Sequence, residues 1–287
     1  MDKHKGQFNS SITRVRPVFQ ELIHRKTASW LSDLLTLFPK QSIIPTNNKP
    51  VSISPSSLHC KCYKDKILEQ YTNKPIQLEN CFEFSLPPSR SFLKWLIENP
   101  DKLRWPKGKK YGKQTQLKRR ALIDGDKKVQ SEALHALEHS CAERSRKKWW
   151  AFEGFTEVDC LLETDSFILA IEGKRTEEGP SESVSWYPDR NQIVRNLESA
   201  QQYAGTRNFA VALIDEKGDF KLTSEMIDNS LPHLSVDERK NLVSHYLGST
   251  TWKRVCEATG IDFAALPDKT EDVVKALFEN PDMAKRS

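Results

Sequence analysis

Residues 157–175 read EVDCLLETDSFILAIEGKR. Two apolar runs, CLL and FILAI, flank TDS, a turn-forming tripeptide, so the stretch predicts a hairpin. Side chains alternate across a strand. Glu157, Asp159 and Leu161 therefore share one face of the first strand, and Ile168, Ala170, Glu172 and Lys174 share one face of the second. The FILAI run is apolar enough to be buried on both sides. A pairing that sets Asp159 beside Glu172 brings two carboxylates next to one ammonium. Glu172 and Lys174 would also suit an exposed cross-strand ion pair of small energetic weight, but the apolar run before them argues against exposure. Two carboxylates in an apolar neighbourhood do not both stay ionised without a cation. A hard divalent ion with oxygen ligands, Mg²⁺ or Mn²⁺ in its place, meets that need. Asp159 and Glu172 are the expected ligands, with the Gly173 carbonyl as a further candidate. Lys174 would orient a water or stabilise developing charge.

The surroundings supply an element order. Residues 127–148, KKVQSEALHALEHSCAERSRKK, predict a helix with Val129, Ala133, Leu134, Leu137 and Cys141 on one side. KWWAFEGF (148–155) predicts a first strand, and the hairpin gives the second and third. DRNQIVRNLESAQQYAG (189–205) predicts a helix, with Gly205 past its end. NFAVALI (208–214) predicts a fourth strand. The order is helix, three strands, helix, strand.

With that order in place, the block at about 127–215 resembles the PD-(D/E)xK, or restriction-endonuclease-like, nuclease superfamily. The likeness rests on an acidic residue on one strand, Asp159, and Glu-x-Lys at the end of the next, Glu172 and Lys174. Val158 stands where the family's motif has proline. The resemblance implies an α/β fold with an α-β-β-β-α-β core, a mixed central sheet flanked by helices, and helical N- and C-terminal additions. It implies metal-dependent hydrolysis of phosphodiester bonds, in DNA first and RNA second, leaving a 5′-phosphate and a 3′-hydroxyl. It adds a carboxylate from the preceding helix, Glu132 or its rival Glu138, as a third metal ligand. It also brings polar residues of the following helix to the scissile phosphate or the carboxylates: Gln192 as a catalytic residue, Arg190 and Arg195 as nucleic-acid contacts. Roles in restriction, phage defence, repair or recombination fit such a core, as does a homodimer or a partner protein. The alternative is a nucleic-acid-binding module on the same fold. Each residue also has a plainer account: a helical Glu132 is commonly solvated, and Arg195 suits a surface pair with Glu198 or Asp189.

The net charge is only +5, but it is unevenly spread. Residues 102–120, KLRWPKGKKYGKQTQLKRR, hold nine basic residues and no acidic one. Basic residues interleaved with aromatics suit a polyanion whose bases stack, so Lys107, Lys109, Lys110, Lys113, Arg119 and Arg120 are expected nucleic-acid contacts. RSRKKWW (144–150) repeats the pattern, although Trp149 and Trp150 equally suit core packing. HCKC (59–62) has ligand types for zinc, but its one-residue gap between Cys60 and Cys62 is tighter than zinc sites use. His135 and His139, four apart on a helix, lack the surrounding HExxH pattern and are expected on a surface. No run of about 18 apolar residues occurs, and the N-terminus has no apolar centre of a secretory signal, so a cytoplasmic location and no membrane contact are expected.

The expected organisation has three parts. Residues 1–126 form an accessory region, with helices over 11–38, a Pro/Ser/Asn-rich linker at 39–57, a helix at SRSFLKWLIEN and the basic loop. Residues 127–219 form the nuclease core. Residues 220–287 are helical and pack on it, with a capping box at Ser235 and Glu238.

Overall fold

A computed structural model describes residues 8–25, 29–39, 59–62, 85–108, 110–139, 148–176, 179–181 and 184–279. Its helices are α1 (Arg16–Ile23), entered through a π-helical turn at Ser11–Val15, α2 (Ser29–Thr36), α3 (Arg90–Glu98), α4 (Lys113–Ile123) and α5 (Lys127–Glu138). They continue with α6 (Gln192–Ala204), α7 (Ser224–Ser230), α8 (Val236–Ser244), α9 (Trp252–Thr259) and α10 (Thr270–Glu279). The strands are β1 (His59–Cys62), β2 (Ser85–Leu86), β3 (Thr156–Glu157), β4 (Cys160–Glu163), β5 (Phe167–Gly173), β6 (Asn208–Asp215) and β7 (Tyr246–Thr251).

Five strands form a mixed sheet in the order β1-β4-β5-β6-β7. The β1/β4 and β4/β5 pairs are antiparallel; β5/β6 and β6/β7 are parallel. The parallel β5-α6-β6 connection follows from sequence. FILAI is buried at every position, as an inner strand requires. The Asn191 side chain accepts from the Ile193 and Val194 amides and starts α6.

Each face of the sheet carries its own core. Leu169, Ile171, Ala210, Ala212 and Ile214 pack with Val15, Phe19, Leu22, Leu31, Leu34 and Trp252, so α1, α2 and α9 cover one side. Ile168, Ala170, Val211 and Leu213 pack with Ile193, Leu197, Ala200 and Leu242, so α6 and α8 cover the other. The expectation of an α/β protein with a mixed sheet flanked by helices holds. A third cluster joins α3, α4 and α5 through Phe92, Leu96, Leu122, Ala133 and Leu137, with Trp150, Phe152 and Trp186. No described helix is long and apolar enough to cross a membrane.

The supply of elements differs from expectation at four places. KWWAFEGF is not a strand, because Trp150 and Phe152 turn into the third cluster instead. The edge strand beside β4 is HCKC, with Cys62 opposite Cys160. The helix over the sheet is α1; α5 packs against α3 and α4. The C-terminal part is not purely helical, since β7 extends the sheet beside β6. Residues of both flanking regions therefore complete the core assigned to 127–219, and the packing does not divide at 126/127 or 219/220. The basic run is a loop only as far as Gly112; from Lys113 it is α4. The Ser235–Glu238 capping box is present. Only the backbone of β1 is described, so the zinc expectation at Cys60 and Cys62 lies outside the described residues, as do Lys109, Cys141 and residues 144–147.

Candidate functional site

The β4/β5 ladder closes at Cys160↔Ile171, one residue short of Asp159 and Glu172, and the Gly173 amide next to Glu172 bonds the Asp159 carboxylate. Glu172 is 2% exposed. Three donors hold it. Gln192 Nε2 donates to Oε1 at 2.6 Å, Asn196 Nδ2 donates to Oε2 at 3.1 Å, and the Lys174 ammonium lies 2.9 Å from Oε1. Gln192 is itself fixed by the Ser181 amide, and Asn196 accepts from the Thr156 hydroxyl at 3.0 Å. Lys174 is held through its backbone, whose amide donates to the Ile214 carbonyl and whose carbonyl accepts from the Trp252 indole at 2.9 Å.

Asp159 is held from the opposite side of the sheet. The Ser11 hydroxyl donates to Oδ1 at 2.6 Å, and the Gly173 amide donates to Oδ2 at 2.9 Å. Burial, and then the neighbouring Glu172 carboxylate, push the Asp159 carboxyl up to about 7, while Ser11, Lys174 and the Gly173 amide pull the other way. The Glu172 charge thus acts on the Asp159 carboxyl. Among the described residues, no third His, Cys, Asp or Glu joins them in a group able to hold a metal.

Glu132 does not reach the pair. It sits exposed on α5 and pairs with Lys118 of α4; Glu138 is exposed at the end of the same helix. The physical reason is the change of helix, since α5 belongs to the third cluster and α1 covers the hairpin. What α1's entry turn offers Asp159 is the hydroxyl of Ser11.

Two predicted nucleic-acid contacts are buried instead. Arg190 is fully buried, forks onto Glu153 at 2.8 and 3.0 Å, pairs with Glu198 at 2.6 Å and donates to the Ser230 carbonyl. Its guanidinium lies 3.7 Å from the centre of the Phe92 ring. Arg119 is 6% exposed, donates to the Trp149 and Ala151 carbonyls, and lies among the rings of Tyr111, Trp186 and Phe152. Both are interior cations paired by carboxylates or aromatic faces. Lys107, Lys110, Lys113 and Arg120 are exposed. Arg195 is half-buried on α6, and its Nε finds no acceptor among the described residues. Burial disfavours its charged form, while Glu153 and Glu172 act in the opposite direction. His135 and His139 stack on the exposed end of α5.

Ser11, Asn196 and Trp252 went unread in the sequence. Asn196 had a signal, because it stands one helical turn from Gln192 and so shares its face. Ser11 and Trp252 lie 148 residues before Asp159 and 78 residues after Lys174, and no local pattern links them to the hairpin. Asn196→Ala is expected to lower stability by about 1–3 kcal/mol, because it strands a buried Glu172 oxygen and the Thr156 hydroxyl together. The check is a lower urea midpoint at unchanged slope, with a smaller drop for the half-buried Gln192→Ala. No family model, curated protein or solved structure matches the chain.

Proposed function

We propose that the chain is a metal-dependent nuclease that hydrolyses phosphodiester bonds in DNA on a restriction-endonuclease-like core. The observation that carries the reading is the convergence of Asp159 and Glu172 at the end of one buried hairpin, with Lys174 beside them. Two carboxylates, Glu172 buried and Asp159 half-buried and pushed up to about 7, form an oxygen donor set suited to a hard dication. Asp159 and Glu172 would hold Mg²⁺, or Mn²⁺ in its place. When bound, the ion offsets phosphate charge and makes a water more acidic.

The chain's own residues do the orienting. Gln192 and Asn196 fix the plane of the Glu172 carboxylate, and Ser11 with the Gly173 amide fixes that of Asp159. Lys174 holds its ammonium where an attacking water or a phosphate oxygen would gather charge. Half-buried Arg195, on the same helix as Gln192 and acted on by the Glu172 charge, would add a cation for the scissile phosphate. The exposed cations of α4 and the loop before it draw in the polyanion.

A second reading, a nucleic-acid-binding module that serves a partner protein, is favoured by one observation. All four oxygens of Asp159 and Glu172 already accept hydrogen bonds from the protein. The test incubates the full chain with plasmid and with single-stranded DNA in Mg²⁺, Mn²⁺ or EDTA. Strand scission in the metals and none in EDTA is expected. Tight binding with no scission in any metal supports the module and overturns the nuclease.

A further inference from the structure

We propose that the flank of α4 bearing Lys113, Leu117 and Arg120 binds an unpaired stretch of nucleic acid, with Trp105 as the platform for a base. The inference rests on the nuclease reading and deepens it by naming the substrate class: nucleic acid with a single-stranded segment.

The three residues stand at i, i+4 and i+7 and so form one stripe along the helix. All three are exposed. Leu117, 53% exposed, is one of two large apolar side chains so exposed among the described residues. The Arg120 guanidinium lies 5.4 Å from the centre of the half-buried Trp105 ring. Trp105 is braced edge-on by Trp186 at 5.2 Å and Tyr111 at 6.0 Å. Arg119, one residue away on the inner side of α4, lies against the same Trp186 and Tyr111 rings and locks helix and platform together.

Charge distinguishes this flank from its opposite. Among the described residues, no carboxylate pairs with Lys107, Lys110, Lys113 or Arg120, and the run 102–120 contains no acidic residue. Across the helix, Lys118 is neutralised by Glu132. Uncompensated ammonium groups suit phosphates, and a rigid indole under a guanidinium suits a base face. A duplex buries its base faces in its own stack, so only an unpaired strand uses the indole.

The test is fluorescence anisotropy with the full chain in EDTA, so that no cutting intervenes. The probes are labelled oligo(dT) of roughly 20 nucleotides, a length above the site sizes of single-strand binders, and a duplex of equal length at the same salt. Oligo(dT) is expected to bind at least tenfold more tightly. Trp105→Ala is expected to weaken it about tenfold, the range for one stacked base, and to leave duplex binding unchanged. Because Trp105 also packs internally, the surface double variant Leu117→Ser/Arg120→Gln is measured beside it and decides if Trp105→Ala fails to fold. Equal affinity for duplex and oligo(dT) overturns the proposal, as does oligo(dT) binding unchanged in the folded variants. Heparin, a polyanion without bases, competing as well as unlabelled oligo(dT) also overturns it. Because the readout is binding, failure to cut in Mg²⁺ counts against the nuclease reading alone.

Discussion

Arg190→Met is expected to destabilise the protein by about 3–5 kcal/mol, a large share of the 5–15 kcal/mol that holds a typical fold. The side chain is fully buried and neutralises Glu153 and Glu198, which are themselves 2% and 3% exposed. Removing it strips Glu153 of its guanidinium and leaves Glu198 with His233 alone. The pH dependence follows with a definite sign. Burial alone would raise the Glu198 carboxyl, but Arg190 and the His233 hydrogen bond overcome burial and hold it at about 2, against an ordinary 4.5. A depressed acid contributes stability that is present above pH 4.5 and is lost as pH falls toward 2. In Arg190→Met the same carboxyl rises, so this acid loss shrinks and the gap between variant and wild type narrows at low pH. Urea unfolding at pH 7 and pH 3 reads both effects. The loss should reach the candidate site too, because the residue after Arg190 caps α6, whose Gln192 and Asn196 hold Glu172.

Gly173→Ala is expected to cost about 1–3 kcal/mol, the range for overpacking a core. A Cβ there would stand 2.4 Å from Val15 Cγ2 and 3.0 Å from the Trp252 ring. Val15 and Trp252 are both buried, and a β-branched side chain has little rotamer freedom with which to retreat. The turn carrying Val15 must move, and with it Ser11, the hydroxyl on Asp159. Val15→Ala should relieve the clash, so the double variant Val15→Ala/Gly173→Ala is expected to be more stable than the sum of the single losses predicts. A simple sum would show that the crowding is not what glycine avoids.

The hairpin and the α6–β6 unit were legible because their signals are local: a continuous apolar run, a turn tripeptide and an amphipathic helix with an Asn cap and a closing Gly. The edges of the sheet were not. HCKC is four residues long and too short for a periodic signal, so its place beside β4 is set by pairing. YLGSTT, with its glycine and small polar residues, continues from a helical pattern and becomes a strand only against β6. Charge was the least readable feature. Arg190 and Arg195 lie five apart on one segment, yet one neutralises two buried glutamates and the other keeps an unsatisfied N–H. Arg119 lies between Lys118 and Arg120 in the basic run, and only the helix phase of α4 turns it inward. Glu132 and Glu172 were both expected as metal ligands, but only the second is buried.

If Asp159, Glu172 and Lys174 form a metal-dependent phosphodiesterase site, as proposed, cleavage depends on the Glu172 charge. The most direct measurement is the single-turnover rate of DNA cleavage in Mg²⁺ by wild type and by Glu172→Gln, with EDTA as the blank and a melting curve on each to show that it is folded. Glu172→Gln keeps the shape and removes the charge. Cleavage by wild type in Mg²⁺ and a loss of at least about a thousandfold in the variant, roughly 4 kcal/mol of transition-state stabilisation, are the predicted results. Equal cleavage by the two folded proteins, or cleavage by wild type that persists in EDTA, would rule out a metal site at Glu172.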